Sequence, residues 1–324
     1  VTWAVQEFLQ SVLDNLVEQG YRIDSFSDPR ELGEHGGAWR CNLQSADEEM
    51  PDSIVIKRAT PALPFRWQDW TCQYFITDLP GTRGLGPEFF AGDEGVGYYA
   101  LEDLGLGGEP GRALQYEDSR SRLAAGLLAC SLAGLHAGTF GRERPFAVLR
   151  ERLPGGSPDR RKEQLEWRLA VEPALEGLQK GLSRALEPQL ALLQDEMADP
   201  REFLVLTHGD WDARSLWYGD PGPRFLSFGN GAFRHALQDL AAWELRCLAN
   251  EPAWETLCRE YLSELERLGA DRGPRFGQAQ ARARGWMALW HLAQGRHTPG
   301  VKGLLELASQ DPLLAALAQV PALL

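Results

Sequence analysis

Cysteine is scarce in this sequence and badly spaced for metal or disulfide chemistry. The five cysteines (Cys41, Cys72, Cys130, Cys247 and Cys258) are scattered, with no C-x-x-C pair. That pattern excludes zinc-knuckle frameworks and argues for reduced thiols in a reducing compartment, so a cytoplasmic location is expected. Positive charge is also in short supply: 33 Lys and Arg against 46 Asp and Glu give a net charge of −13. A field of that sign repels phosphate backbones, so nucleic acid is not an expected partner. No apolar run is long enough to span a bilayer and the start lacks a basic-then-apolar signal pattern, so no membrane association is expected. No G-x-x-x-x-G-K-[ST] loop occurs, and the glycines after Leu104 do not form G-x-G-x-x-G. This removes the two commonest glycine-rich nucleotide motifs. Internal repeats and low-complexity tracts are absent.

What remains is ordinary soluble composition: 324 residues, 44% hydrophobic and 24% charged, enough for a sizeable core and one or two domains. Val5, Phe8, Leu9, Val12, Leu13 and Leu16 recur at helical spacing, and Gly20 ends that helix. Short extended pieces follow around a glycine segment, Gly33 to Gly37, where Gly36 and Gly37 stand between two strands. Glycines there let backbone approach a nucleotide phosphate, although a simple hairpin turn has the same signature. Ser53 to Arg58 is a β-branched strand carrying Lys57 at its end. Phe65 to Leu79 reads as the next helix, and Tyr98 to Leu104 as a strand running into a glycine-rich linker. Past the linker the chain turns helical, with Leu123, Leu127, Leu128, Leu132 and Leu135 assigned to one face of a helix over 118–136. A loop over 154–158, an interrupted helical stretch over 160–197 and helices over 236–248, 254–268, 278–292 and 301–320 complete the reading.

The chemistry concentrates in residues 203–241. Phe203 to Leu206 is a short apolar strand entering a polar turn, His208-Gly209-Asp210. Two short strands follow, Leu216 to Tyr218 and Arg224 to Phe228, joined by a tight turn. A carboxylate on such a loop, backed by a short hairpin, is how kinase folds hold a catalytic base and metal ligands.

His208-Gly209-Asp210 resembles the catalytic loop of aminoglycoside phosphotransferases and choline-kinase-like enzymes, whose pattern is H-G-D-x-x-x-x-N. Tyr98 to Gly105 is similar to the L-E-D-L-G linker of that family, Leu135-His136-Ala137 to its L-H-A, and Asp239-Leu240-Ala241 to its D-L-A. The resemblance implies a two-lobed protein-kinase-like α+β fold. Residues 1–105 would form a small antiparallel-sheet, nucleotide-binding lobe, and residues 106–324 a mainly helical lobe holding the catalytic region. It implies Asp210 as base or positioner, with His208 bracing the loop. Lys57 would lie on the phosphates of ATP, Gly36 and Gly37 above them, and the Glu102 linker at the adenine edge. It implies that Asp239 braces the catalytic loop and that His136 is structural. In this fold the helix after the lysine strand supplies an acid that pairs the lysine. Asp69 is the only acid in the first two turns here, one methylene shorter than the usual Glu, which counts against the pair.

The departures concern magnesium. Ser215 stands where the family carries its metal-binding Asn, and Ser227 where it carries its metal-binding Asp. Two neutral hydroxyls are poor ligands for a hard dication. Asp212 is the nearest substitute acid. Three readings compete: a degenerate, pseudokinase-like protein binding nucleotide, metabolite or a partner; an active ATP-dependent small-molecule kinase with unusual metal ligation, acting on a hydroxyl; and an unrelated α+β binding protein. The acceptor would be a small hydroxylated molecule, or the partner a protein.

Overall fold

The computed structural model describes residues 3–32, 37–45, 50–60, 63–105, 119–153, 204–209, 215–219, 222–247, 251–270 and 299–307, together with 280, 283–285, 287–288 and 291. Gly36, Asp210 and Asp212, the expected loop over 154–158, the helical stretch over 160–197, the boundary near 106 and the end of the last helix lie outside the described residues.

Helix α1 (Trp3–Glu18) leads into a five-stranded antiparallel sheet. Its strands are β1 (Ile23–Glu31), β2 (Ala38–Ser45), β3 (Ser53–Arg58), β4 (Phe89–Asp93) and β5 (Tyr98–Glu102), in the order β1-β2-β3-β5-β4. Helix α2 (Pro64–Asp78) lies between β3 and β4 in sequence. Strand parity gives the sheet two distinct faces. Ile54, Ile56, Trp39, Cys41, Tyr98 and Ala100 join Phe8, Leu9, Val12, Leu13 and Leu16 of α1 in one core. The opposite face carries Tyr99 and Leu101, which pack with Trp67 and Trp70 of α2. Lys57 is paired directly with Tyr99 in the β3–β5 ladder, so it belongs to this second face. The sheet therefore hides its apolar residues under α1 and offers its lysine to α2.

The remainder is mainly helical. It contains α3 (Ser119–Thr139), α4 (Glu143–Arg152), α5 (Leu237–Cys247), α6 (Glu251–Arg267) and α7 (Pro299–Leu307). Two small antiparallel pairs interrupt it: β6 (Leu204–Thr207) with β9 (Ala232–His235), and β7 (Leu216–Gly219) with β8 (Gly222–Phe225). The third catalytic-region strand is thus shorter than the sequence suggested, ending at Phe225. Strands β4 and β9 were not anticipated.

Helix α3 buries Leu128, Leu132 and Leu135 of the face its leucines implied, but not Leu123. Leu123 is 64% exposed, while Ala124, Ala125, Leu128, Ala129, Leu132 and Ala133 are buried. An alanine-lined face suits close helix packing, and α3 runs along α6. The two-lobed kinase-like α+β architecture is what the sequence led one to expect. Among the described residues no strands pair in parallel.

Candidate functional site

The lysine pair forms, contrary to the expectation that Asp69 would be too short. Lys57 Nζ lies 2.6 Å from Asp69 Oδ2, and both residues are buried. The helix sits close enough because its aromatic side lies flat on the sheet. Trp70 stacks on Tyr99 and Phe89, and a Cβ on Gly92 would collide with the Trp70 ring. Gly92 thus lets α2 approach β4, which makes up for the missing methylene of Asp69. Tyr99 donates its hydroxyl to the same Oδ2 at 2.5 Å, and the Phe228 N–H donates to Oδ1 at 2.8 Å. Burial raises the Asp69 pKa, but Lys57, Tyr99 and Arg66 together outweigh it and hold the carboxyl below its ordinary value. Tyr99, buried beside that charge, is pushed well above the usual phenol range. The sequence reading overlooked Tyr99. Its signal was parity, since it faces Lys57 across the ladder.

A second buried carboxylate organises the His-Gly-Asp turn. Asp239, at the start of α5, accepts the His208 N–H at 2.9 Å and the Gly209 N–H at 3.3 Å. His136 Nε2 lies 3.2 Å from it, and His136 Nδ1 lies 2.8 Å from the Tyr261 hydroxyl. Asp239 and His136 are fully buried, matching the bracing and structural roles the resemblance implied. The glycine of the motif has a steric reason: Gly209 has φ +79°, and a Cβ there would strike the Asn230 carbonyl. Asp210 follows immediately, outside the described residues. His208 is fully buried, and its Nε2–H donates to the Leu226 carbonyl at 2.6 Å. This geometry braces the turn against the 226–231 segment.

That segment joins the two carboxylate sites. The Leu226 N–H donates to the Ser215 carbonyl at 2.7 Å, and the Gly231 N–H to the Phe228 carbonyl at 2.8 Å. Between these ties Ser227 is exposed and has φ +60°, a left-handed conformation uncommon for serine. The hydrogen bonds on either side hold it there. Lys57, Ser215, Ser227 and His208 are therefore linked through one short stretch of backbone. Ser215 is buried, and both serines offer neutral oxygen only. Gly37 lies beside the lysine strand, its carbonyl accepting the Arg58 N–H at 2.7 Å. The Glu102 carboxylate accepts Arg224 Nη1 at 2.6 Å and the Glu88 N–H at 3.1 Å. Arg224 in turn lies over the Trp217 ring, 5.9 Å from its centroid.

One buried cation was not foreseen. Arg150, in the last turn of α4, is 6% exposed. Its Nε donates to Gln68 Oε1 at 2.7 Å, and the Gln68 amide donates to the Gly231 carbonyl. Nη1 is buried without a hydrogen-bond partner, and among the described residues Arg150 forms no ion pair. Burying an unpaired charge costs several kcal/mol. The helix C-terminus returns about 0.3–1 kcal/mol.

No protein-family model matches this chain, and no curated protein sequence matches it. Solved structures do. The choline kinase LicA from Streptococcus pneumoniae superimposes with a TM-score of 0.59 at 12% identity, covering 95% of this chain and 98% of that one. LicA in complex with AMP gives a TM-score of 0.57 at 13% identity, with coverage of 95% and 98%. The gentamicin complex of APH(2")-IIa gives 0.54 at 9% identity, with 96% of both chains covered. These superpositions agree with the antiparallel five-stranded sheet and the mainly helical remainder, and the chain has the two-lobed, protein-kinase-like fold of choline kinases and aminoglycoside phosphotransferases.

Proposed function

We propose that this protein is a degenerate member of the kinase-fold phosphotransferases, one that binds a nucleotide at Lys57 but transfers phosphate very slowly or not at all. The observation that carries this reading is an asymmetry. The Lys57–Asp69 pair is assembled and buried, while both positions matching the family's metal ligands are serines. Lys57 would hold the α/β phosphates, with the Gly37 turn alongside, and Asp210 would face the acceptor hydroxyl. Bound ATP supplies the transferable phosphoryl group. Magnesium does not fit the donor set of Ser215 and Ser227, because a hard dication relies on carboxylate oxygen. Losing the roughly 4–6 kcal/mol of charge stabilisation that a metal gives would slow transfer by about 10³ to 10⁴-fold.

The occupant of the acceptor side would be a small hydroxylated molecule, or the exposed surface would engage a protein partner. A cytoplasmic location belongs to this reading; Cys41, Cys72, Cys130 and Cys258 are free thiols. Among the described residues no single helix is long and apolar enough to cross a membrane.

A second reading, an active small-molecule kinase, is favoured by the care with which Asp239 holds the catalytic turn. Steady-state assays with ATP and magnesium separate the two. The degenerate reading expects turnover at the background rate, equal in the unmodified protein and in Asp210→Ala. Robust magnesium-dependent transfer that Asp210→Ala abolishes would replace it with the active one.

A further inference from the structure

We propose that Arg150 is the core of an oxyanion site, taking a carboxylate or phosphate group, in the crease between α2, α4 and the turn at residues 229–231. The guanidinium is aimed by protein contacts on one side only. Nε is spent on Gln68, and Gln68 is itself fixed to the Gly231 carbonyl. This leaves a terminal nitrogen buried and unpartnered, on a side chain more than nine-tenths buried. A neutral amide can orient a guanidinium but cannot balance its charge. A planar fork with its outer edge unused fits a carboxylate or a phosphate oxygen pair.

A second arginine lies at the same crease. Arg234 Nη1 donates to the Asn230 carbonyl at 2.8 Å, next to the Gly231 carbonyl that Gln68 holds on behalf of Arg150. The buried Cys72 thiol registers both. Burial, then the Asp69 charge, push its pKa up, while Arg150 and Arg234 both pull it down. Two cations thus converge beside a thiol that stays protonated. The burial of Arg150 favours a small anion or a terminal group over an extended macromolecular surface. Gln68 and Asp69 are adjacent on α2 and both tie to the 228–231 turn, Gln68 at the Gly231 carbonyl and Asp69 at the Phe228 N–H, while the Arg150 hydrogen bond goes to Gln68 and not to the Lys57–Asp69 pair. The anion role proposed for Arg150 does not use Lys57 and stands apart from the phosphate role proposed there.

The test is a thermal-shift titration of the full chain with sodium phosphate and with sodium citrate, each matched for ionic strength with sodium chloride. Saturable rises in Tm are expected for the unmodified protein and for Lys57→Ala. Non-specific stabilisation by such salts does not saturate at low concentration. Arg150→Met should lose the response and, without added anion, melt no lower than the unmodified protein. Arg150→Lys keeps the charge but loses the fork, and should weaken the affinity on the order of tenfold; it serves if the methionine variant does not fold. A flat titration of the unmodified protein overturns the proposal without any variant. So does an equal response from Arg150→Met. A response lost in Lys57→Ala and kept in Arg150→Met would put the anion in the nucleotide cleft and overturn it as well.

Discussion

Two buried aspartates, Asp69 and Asp239, do comparable work in different ways. Both are at most 2% exposed, and both accept backbone N–H groups from the catalytic region. Asp239 accepts two backbone N–H groups of a single short turn, with His136 and Tyr261 behind it. Asp69 instead joins three separate elements: Lys57 on β3, Tyr99 on β5 and the N–H of Phe228 beside Ser227. One carboxylate fixes the shape of a loop. The other couples the strand carrying Lys57 to the segment carrying Ser227. On the proposed reading, that coupling is the frame of a nucleotide site, kept where the metal position holds a serine.

The comparison predicts different damage at the two sites. Asp69→Ala should be the more costly, because it leaves Lys57 buried and uncompensated; about 3–5 kcal/mol is expected. Asp239→Ala leaves two backbone N–H groups without their acceptor and should cost roughly 2–4 kcal/mol. Urea denaturation measures both, and a loss below about 1 kcal/mol at either position would show that the carboxylate is not holding its neighbours. Tyr99→Phe removes only one of the donors to Asp69, for a loss of about 1–2 kcal/mol.

Acid probes the Lys57–Asp69 site. The folded pKa of Asp69 lies below its ordinary 3.8. Its contribution is therefore fully present above that value and is lost as pH falls from there through the folded pKa. Chemical denaturation below pH 4 should show a flatter stability slope for Asp69→Asn than for the unmodified protein. Parallel curves would mean that Asp69 is not the titrating group.

The sequence revealed the polar turn and the lysine strand because both carry unusual residues at fixed spacing. It also pointed to Asp239, through the D-L-A that follows the turn. It misjudged the Lys57–Asp69 pair because side-chain length was weighed without backbone approach. Gly92, which lets Trp70 lie on the sheet, is two dozen residues away in a strand that was not recognised. The buried face of α3 was read in part: Leu128, Leu132 and Leu135 are buried as their spacing suggested, but Leu123 is exposed and alanines fill the rest of the face. Arg150 gave no signal at all, since an arginine near the end of a helix reads as an exposed cap until its burial is known. These misses share a cause. Each depends on how closely two elements approach, and local pattern does not encode that distance.

The central claim is that the nucleotide frame is intact and its metal ligation is not. Calorimetric titration of ATP, with and without magnesium, into the unmodified protein and into Ser227→Asp/Ser215→Asn tests it most directly. Aspartate tolerates the left-handed backbone at 227 at least as well as serine does, so the substitution should not disturb the turn. The account predicts that the unmodified protein binds ATP with little dependence on magnesium, and that the double variant gains on the order of tenfold or more in affinity when magnesium is present. Strong magnesium-dependent binding by the unmodified protein, unchanged in the double variant, would contradict it.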